Sequence, residues 1–298
     1  MGAQGPPPPG PALGHGVLGP HGALPSLAAG PGRRGAMRVS AVGFLNSAPL
    51  TWGLSEGRAP EGWDVTFDVP SRCAERLLKG EADLGLVPSV VFLREPWLTL
   101  AAPLGVVAPD EAGSVLLVLG GDLASVRRVF LDPASRTSQA LLRLLLQEAL
   151  PEGVSFEEGI APDRLGPGEA ALVIGDRALR LPGALGRLPA LDLASLWKAR
   201  TGLPFVFAVW AGRREVCTDE VREVLASSCA LGLACLDDIV ARHALALDLS
   251  PSRIRHYLTR QLSFTLGREE RAALARFSRE VLGEEPPPSK WGEPYGGE

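Results

Sequence analysis

Residues 131–150, LDPASRTSQALLRLLLQEAL, place three hydroxyls and a cation where a helix begins. Ser135, Arg136, Thr137 and Ser138 follow a strand-like run, RRVFLD, and directly precede a strongly apolar helical pattern. A helix N-terminus offers free N–H groups and the positive end of the helix dipole, a ready site for a carboxylate or a phosphate. Serine and threonine are also good N-caps, so one hydroxyl needs no functional reason. Three hydroxyls with an arginine exceed what capping requires. Further polar residues sit at matching places. Asn46 and Ser47 follow the run RVSAVGF, Ser89 follows DLGLVP, Ser114 opens SVLLVL, and Asp176 ends ALVIGD. Each has a bland alternative. Asn46 suits a turn or a cap, Ser47 and Ser89 suit helix caps, Ser114 suits a plain strand start, and Asp176 suits a cap for the helix RALRL.

Other chemistries find little support. The four cysteines (Cys73, Cys217, Cys229, Cys235) are scattered, with no CxxC and no paired-histidine spacing. That argues against a zinc site or a disulfide framework and suits a reducing compartment. His15 and His21 lie near the N-terminus, and His243 and His256 lie in a late helical region, so no histidine cluster for catalysis or metal binding is expected. A net charge of −4 gives no footprint for nucleic acid or a membrane surface. The basic residues Arg253, Arg255 and Arg260 read as a solvated helix face. With 46% hydrophobic and 21% charged residues the chain is of globular type, and no apolar run of membrane-spanning length occurs.

The elements that must position these residues alternate between strand and helix from Met37 onward. RVSAVGF, WDVTFDV, DLGLV, SVLLVL, RRVFLD, ALVIGD and PFVFAVW read as strands, most of them followed by helical patterns. This order predicts open, largely parallel α/β sheets, and two of them. After Asp219 the pattern is read as all-helical. The polar residues fall after the carboxyl ends of predicted strands, the edge where open α/β sheets bind ligands. They point to a small, polar, anionic ligand between two lobes. The Pro/Gly/Ala-rich stretch 1–36 cannot bury a core and is expected to be disordered, and 286–298 is expected to be a loose tail.

The segments FLNSAPL, GEADLGLVPS, SVLLVL, LDPASRTSQALLRLLL, ALVIGDRAL, DLASLWKARTGLPFVFAVW and HYLTRQLSFTLGREERAALARF occur in this order. Together they resemble the chorismate dehydratases of the futalosine route to menaquinone, over about Met37 to Gly283. The resemblance implies an α/β fold of the type II periplasmic-binding-protein kind, two lobes with a ligand cleft between them. Lobe one would comprise 37–113 and 205–285, and lobe two 114–204. The implied reaction is loss of water from chorismate to give 3-[(1-carboxyvinyl)oxy]benzoate, with no metal and no cofactor. Asn46 and Ser114 are then the expected catalytic residues. Ser47, Ser89, Thr137, Ser138 and Asp176 are expected to bind substrate. The partner is the small molecule, with neither nucleic acid nor membrane. With no secretory signal pattern in its first residues, the protein is expected in the cytoplasm. Two rivals share the fold: a non-catalytic binding protein for a small carboxylate, and dihydroxynaphthoate synthase of the same route. The second would be expected to carry a catalytic histidine near the second-lobe pocket, where this chain has none.

Overall fold

A computed structural model describes residues 35–292, except 56, 148, 160–161 and 185–187. Most of the stretch 1–36, expected to be disordered, and 293–298 of the expected tail lie outside the described residues. The chain opens with β1 (Met37–Val42), the short α1 (Ala48–Thr51), β2 (Trp63–Asp68), α2 (Pro70–Leu78), β3 (Leu84–Pro88), α3 (Ser89–Arg94) and the long β4 (Leu98–Ala108). It continues through β5 (Val115–Leu119), β6 (Arg128–Leu131), α4 (Arg136–Leu146), β7 (Ser155–Glu158), β8 (Glu169–Ile174), α5 (Gly175–Ala184), β9 (Ala190–Asp192) and α6 (Leu193–Thr201). It then returns through β10 (Phe205–Arg213), α7 (Asp219–Ala234), α8 (Leu236–Leu247), α9 (Pro251–His256), β11 (Ser263–Thr265) and α10 (Arg268–Leu282).

Two sheets result. One has the order β11-β4-β10-β3-β1-β2, and the other the order β7-β6-β8-β5-β9. Neither is largely parallel, which corrects the reading from strand order. In the first sheet β10 runs antiparallel to both β3 and β4, and in the second β5 runs antiparallel to both β8 and β9. The cause is the path of the chain. β5 and β10 are the first strands laid down after each crossing from one lobe to the other. A strand that arrives across the cleft enters its sheet at the edge where the parallel strands end, so it must run against them. Alternating hydrophobicity reports which face of a strand is buried and is silent on its direction.

Local sequence explains the elements next to the cleft. β3 is buried along its whole length, as a central strand with covered faces should be. α2 starts on Pro70, whose fixed φ suits the first helical turn, and buries Cys73, Ala74 and Leu77 along one stripe. α6 begins at Asp192, whose carboxylate accepts from the N–H groups of Ala194 and Ser195, and ends at Gly202 in the left-handed region. The same Asp192 carboxylate takes the N–H groups of Ala112 and Gly113, which fixes the first crossing to the second lobe. Trp197 is wholly buried beside the return crossing, donates to Pro204 O at 3.0 Å, and meets Phe205 and Phe277 edge-on.

Two further expectations change. The region after Asp219 is not all-helical. Leu262, Phe264 and Leu266 alternate inward, and β11 adds itself to the edge of the first sheet beside β4. Nor does a loose tail begin at 286. Pro288–Trp291 forms a short helical turn that brings Lys290 into the first lobe, where its ammonium donates to the carbonyls of Phe92 and Glu95 at the end of α3 and of Leu98. A buried cation satisfied by three carbonyls is an anchor. Burial pushes this ammonium down to about 8.

Candidate functional site

The cleft edge is made by the carboxyl ends of the parallel strands. Val42 ends β1, Pro88 ends β3, Ile174 ends β8, and Ser135 and Ser138 follow β6; all of them line one cavity between the sheets. Phe44, Val106, Val115 and Phe207 close its apolar wall, and Asn46, Ser135 and Ser138 are the polar side chains on it. The space is about 30 Å³. At about 10–15 Å³ for each water, that holds two or three waters and no six-membered ring, so the lobes stand closed on one another.

On the first lobe a 3₁₀ turn, Leu45–Ser47, follows β1. The Ser47 hydroxyl is fully buried within 2.8 Å of the carbonyls of both Val42 and Phe44, which fixes the turn. That turn presents Asn46, whose Oδ1 is buried with no hydrogen-bond partner among the described residues. A buried amide oxygen without a donor costs free energy unless something arrives to fill it.

On the second lobe the start of α4 faces the cavity. Ser135 is the N-cap, and its Oγ accepts from Ser138 N–H at 3.1 Å. Its own hydroxyl donates to Ser138 Oγ at 2.8 Å, which leaves the Ser138 proton without a protein acceptor. The N–H groups of Arg136 and Thr137 occupy the first two helical positions and have no acceptor within the helix. Among the described residues no Lys or Arg lines the cavity, and the helix start supplies positive potential there. Arg136 turns away and pairs with Glu75 of α2 at 3.5 Å.

The other expected site residues surround the cavity without lining it. Asp176, in the first turn of α5, accepts from Leu45 N–H across the cleft at 3.0 Å. Burial raises its carboxyl above the ordinary aspartate range, partly offset by the Leu45 N–H and by Arg180. Beside it Gly175 has φ +60°, and a Cβ there would stand 2.9 Å from the Phe44 ring, so only glycine permits this approach of the lobes. The Thr137 hydroxyl accepts from Val90 N–H of α3 at 3.3 Å. Ser89 is fully buried, donates to Val206 O at 2.7 Å and stands 3.5 Å from the Thr137 hydroxyl. The Ser114 Oγ accepts from the Tyr257 hydroxyl at 2.7 Å, and Ser114 O accepts from Gly175 N–H. Sequence reasoning omitted Ser135 and Tyr257 from the site. Ser135 stood in the same SRTS run but read as a cap, which it also is. Tyr257 carries no local signal, because its partner lies 143 residues away.

Known proteins match this chain along most of its length. A family model described as menaquinone biosynthesis matches residues 37–281. The chorismate dehydratase of Thermus thermophilus is 35% identical over 259 residues, covering 80% of this chain and 93% of that protein. The chorismate dehydratase of Campylobacter jejuni is 26% identical over 247 residues, covering 79% and 93%. Among solved structures, the Archaeoglobus fulgidus protein AF1704 superposes with a TM-score of 0.65 at 16% identity, covering 83% of this chain and 96% of that one. The alkanesulfonate-binding protein of Xanthomonas axonopodis pv. citri does so with a TM-score of 0.58 at 15% identity, covering 86% and 94%. At these identities the structures establish the fold alone: two α/β lobes and a cleft, of the periplasmic-binding-protein kind.

Proposed function

The chain belongs to the menaquinone biosynthesis family, and we propose that it is a chorismate dehydratase, a hydro-lyase that converts chorismate to 3-[(1-carboxyvinyl)oxy]benzoate and water. The observation that supports this most directly is the orphaned Asn46 Oδ1 on the same cavity as the start of α4. An acceptor awaiting a hydroxyl shares that cavity with a helix end awaiting a carboxylate, and chorismate carries both groups.

The reaction asks for positioning and electrostatics. The hydrogen on the ring carbon bearing the enolpyruvyl ether is conjugated through a double bond to the ring carboxylate. Its removal leaves a carbanion whose charge spreads into that carboxylate. The neighbouring C–O bond then breaks, hydroxide leaves with the proton as water, and the ring becomes aromatic. Hydrogen and hydroxyl leave from the same face, which a carbanion-first path tolerates. Ser138 and the N–H groups of Arg136 and Thr137 hold a carboxylate and stabilise the added charge. Asn46 takes the substrate hydroxyl through Oδ1, and Ser114 donates to the departing oxygen. The enolpyruvyl carboxylate of the substrate serves as the base. Asp176 is a latch, bonded to the residue before Asn46.

Substrate entry requires the lobes, 37–113 with 205–285 and 114–204, to part. Ser47 and Ser89 act by holding the walls, and Thr137 by closing α4 on α3. All four thiols are free, which suits the cytoplasm, where we place the reaction. The test is pure protein with chorismate alone, followed by the absorbance of the aromatic product. Conversion that survives exhaustive chelation is expected. Chorismate that binds and persists would instead identify a carboxylate-binding protein.

A further inference from the structure

We infer that Tyr257 is a positioning residue for this reaction: by donating its hydroxyl proton to Ser114, it directs the proton of Ser114 into the cleft. The inference rests on the proposed dehydration. Its physical basis is a buried pair of hydroxyls. Tyr257 is 1% exposed and Ser114 is 2% exposed, and their oxygens are 2.7 Å apart. A phenol is the more acidic of the two groups and, with a lone pair delocalised into its ring, the poorer acceptor, so tyrosine donates and serine accepts. Among the described residues no other bond of the Tyr257 hydroxyl competes. The serine proton cannot then point back at the phenol. An O–H whose oxygen already accepts a hydrogen bond is also a stronger donor, because the two bonds polarise each other. Ser114 is thereby prepared to give a hydrogen bond.

The neighbours put that donor at the border of the cavity, which Ser114 adjoins without lining it. Ser114 precedes Val115, and its carbonyl accepts from Gly175 N–H; both Val115 and Gly175 line the cavity. Burial opposes ionisation of the phenol, the hydrogen bond to Ser114 offsets part of this, and the carboxylates of Asp176 and Asp192 oppose ionisation further, so Tyr257 stays a donor through the working pH range.

The element carrying Tyr257 is built for this contact. Residues 257–261 form a π-helical turn, closed by Leu262 N–H to Tyr257 O. Such turns insert one residue into a helix and re-aim its side chains. Here the turn holds the interlobe crossing at two points. Tyr257 takes Ser114, and Gln261 Nε2 donates to Glu111 Oε1 at 2.7 Å. Gly113 lies between these points with φ +63°, and a Cβ there would stand 2.7 Å from the Gln261 amide.

The experiment is a double-mutant cycle on chorismate turnover with Tyr257→Phe and Ser114→Ala. Tyr257→Phe keeps the ring and removes only the hydroxyl. It is expected to lower kcat about ten-fold, the scale of one lost hydrogen bond to developing charge, with KM held within about two-fold. In the Ser114→Ala background the same change is expected to cost nothing further. A Tyr257→Phe enzyme with wild-type kcat, or one losing the same factor with and without Ser114, overturns the inference. If Tyr257→Phe does not fold, Ser114→Ala decides alone, and wild-type kcat in that variant overturns it. A wild type that leaves chorismate intact fails the proposed function and takes this inference with it.

Discussion

Asn46 and Ser138 share one cavity, and each offers a group that the protein leaves unanswered: an amide oxygen without a donor and a hydroxyl proton without an acceptor. Both were legible in the sequence, because each follows the carboxyl end of a strand, where α/β sheets collect ligand contacts. What the sequence could not divide was the labour within SRTS. Cap and ligand group look alike until the helix direction is known. The structure makes Ser135 the cap, leaves Ser138 free to donate, and turns the Thr137 hydroxyl toward Val90 of the other lobe. The two serines should therefore separate on mutation. Ser138→Ala retains the bond from its own N–H to Ser135 but takes the acceptor from the Ser135 hydroxyl, so stability should fall by about 1 kcal/mol, no more than a lost cap costs. Its kcat/KM on chorismate should fall about ten- to a hundred-fold, the worth of a hydrogen bond to a charged group. Ser135→Ala should lose both the cap and the activity. Denaturant titration beside steady-state kinetics reads the two quantities, and a Ser138→Ala enzyme with normal kinetics would move the carboxylate site elsewhere.

Elements with a helical period or an unbroken apolar run were readable, and borrowed ones were not. α4 declares itself through its apolar stripe and its cap. β11 has three residues, too few for a period, and exists because β4 offers it an edge. The antiparallel direction of β5 and β10 comes from the crossings between lobes, which no local pattern encodes. The turn at 288–291 looked like tail because Pro-rich sequence flanks it, and its buried anchor Lys290, beside Trp291 packed on Phe92, is a residue type that is rarely buried. Lys290 gathers the carbonyls of Phe92, Glu95 and Leu98, so Lys290→Ala takes a donor from all three, of which Glu95 O keeps the Leu98 N–H. A loss of about 1–3 kcal/mol is expected, which for a protein of this size lowers Tm by roughly 2–10 °C. The wild-type chain should also gain stability between about pH 8 and the ordinary lysine range, because there the unfolded state binds the proton that the folded state has released. An unchanged Tm in Lys290→Ala would return 288–291 to the status of a tail.

At the scale of the whole molecule, the two lobes meet through packing such as Trp197 against Phe277 and through several polar contacts. Asp176 takes Leu45 N–H, Arg136 pairs with Glu75, Thr137 takes Val90 N–H, and Ser71 N–H reaches Ala134 O. The ion pair is exposed and contributes little. Asp176 is the contact with the sharpest consequence, because its carboxyl is half-buried and raised above the ordinary aspartate range. Between the ordinary value and the raised one the folded state holds the proton more tightly than the unfolded chain does. Stability therefore falls as pH rises through that window and levels off above it. Asp176→Asn removes the charge, while its amide oxygen still accepts from Leu45 N–H. The variant should match or exceed the wild type near pH 7, and its relative advantage should shrink on acidification, when the wild-type carboxyl becomes neutral as well. Urea midpoints at pH 4 and pH 7 measure this, and an equal loss at both values would show that the amide cannot replace the latch. The same variant separates two roles in catalysis. Removal of a general base costs about 10²–10⁴-fold in rate. A latch whose hydrogen bond survives as an amide should cost less than ten-fold in kcat, through a shifted balance of open and closed lobes. A thousand-fold collapse in Asp176→Asn would make Asp176 the base and remove the need for the substrate to supply its own.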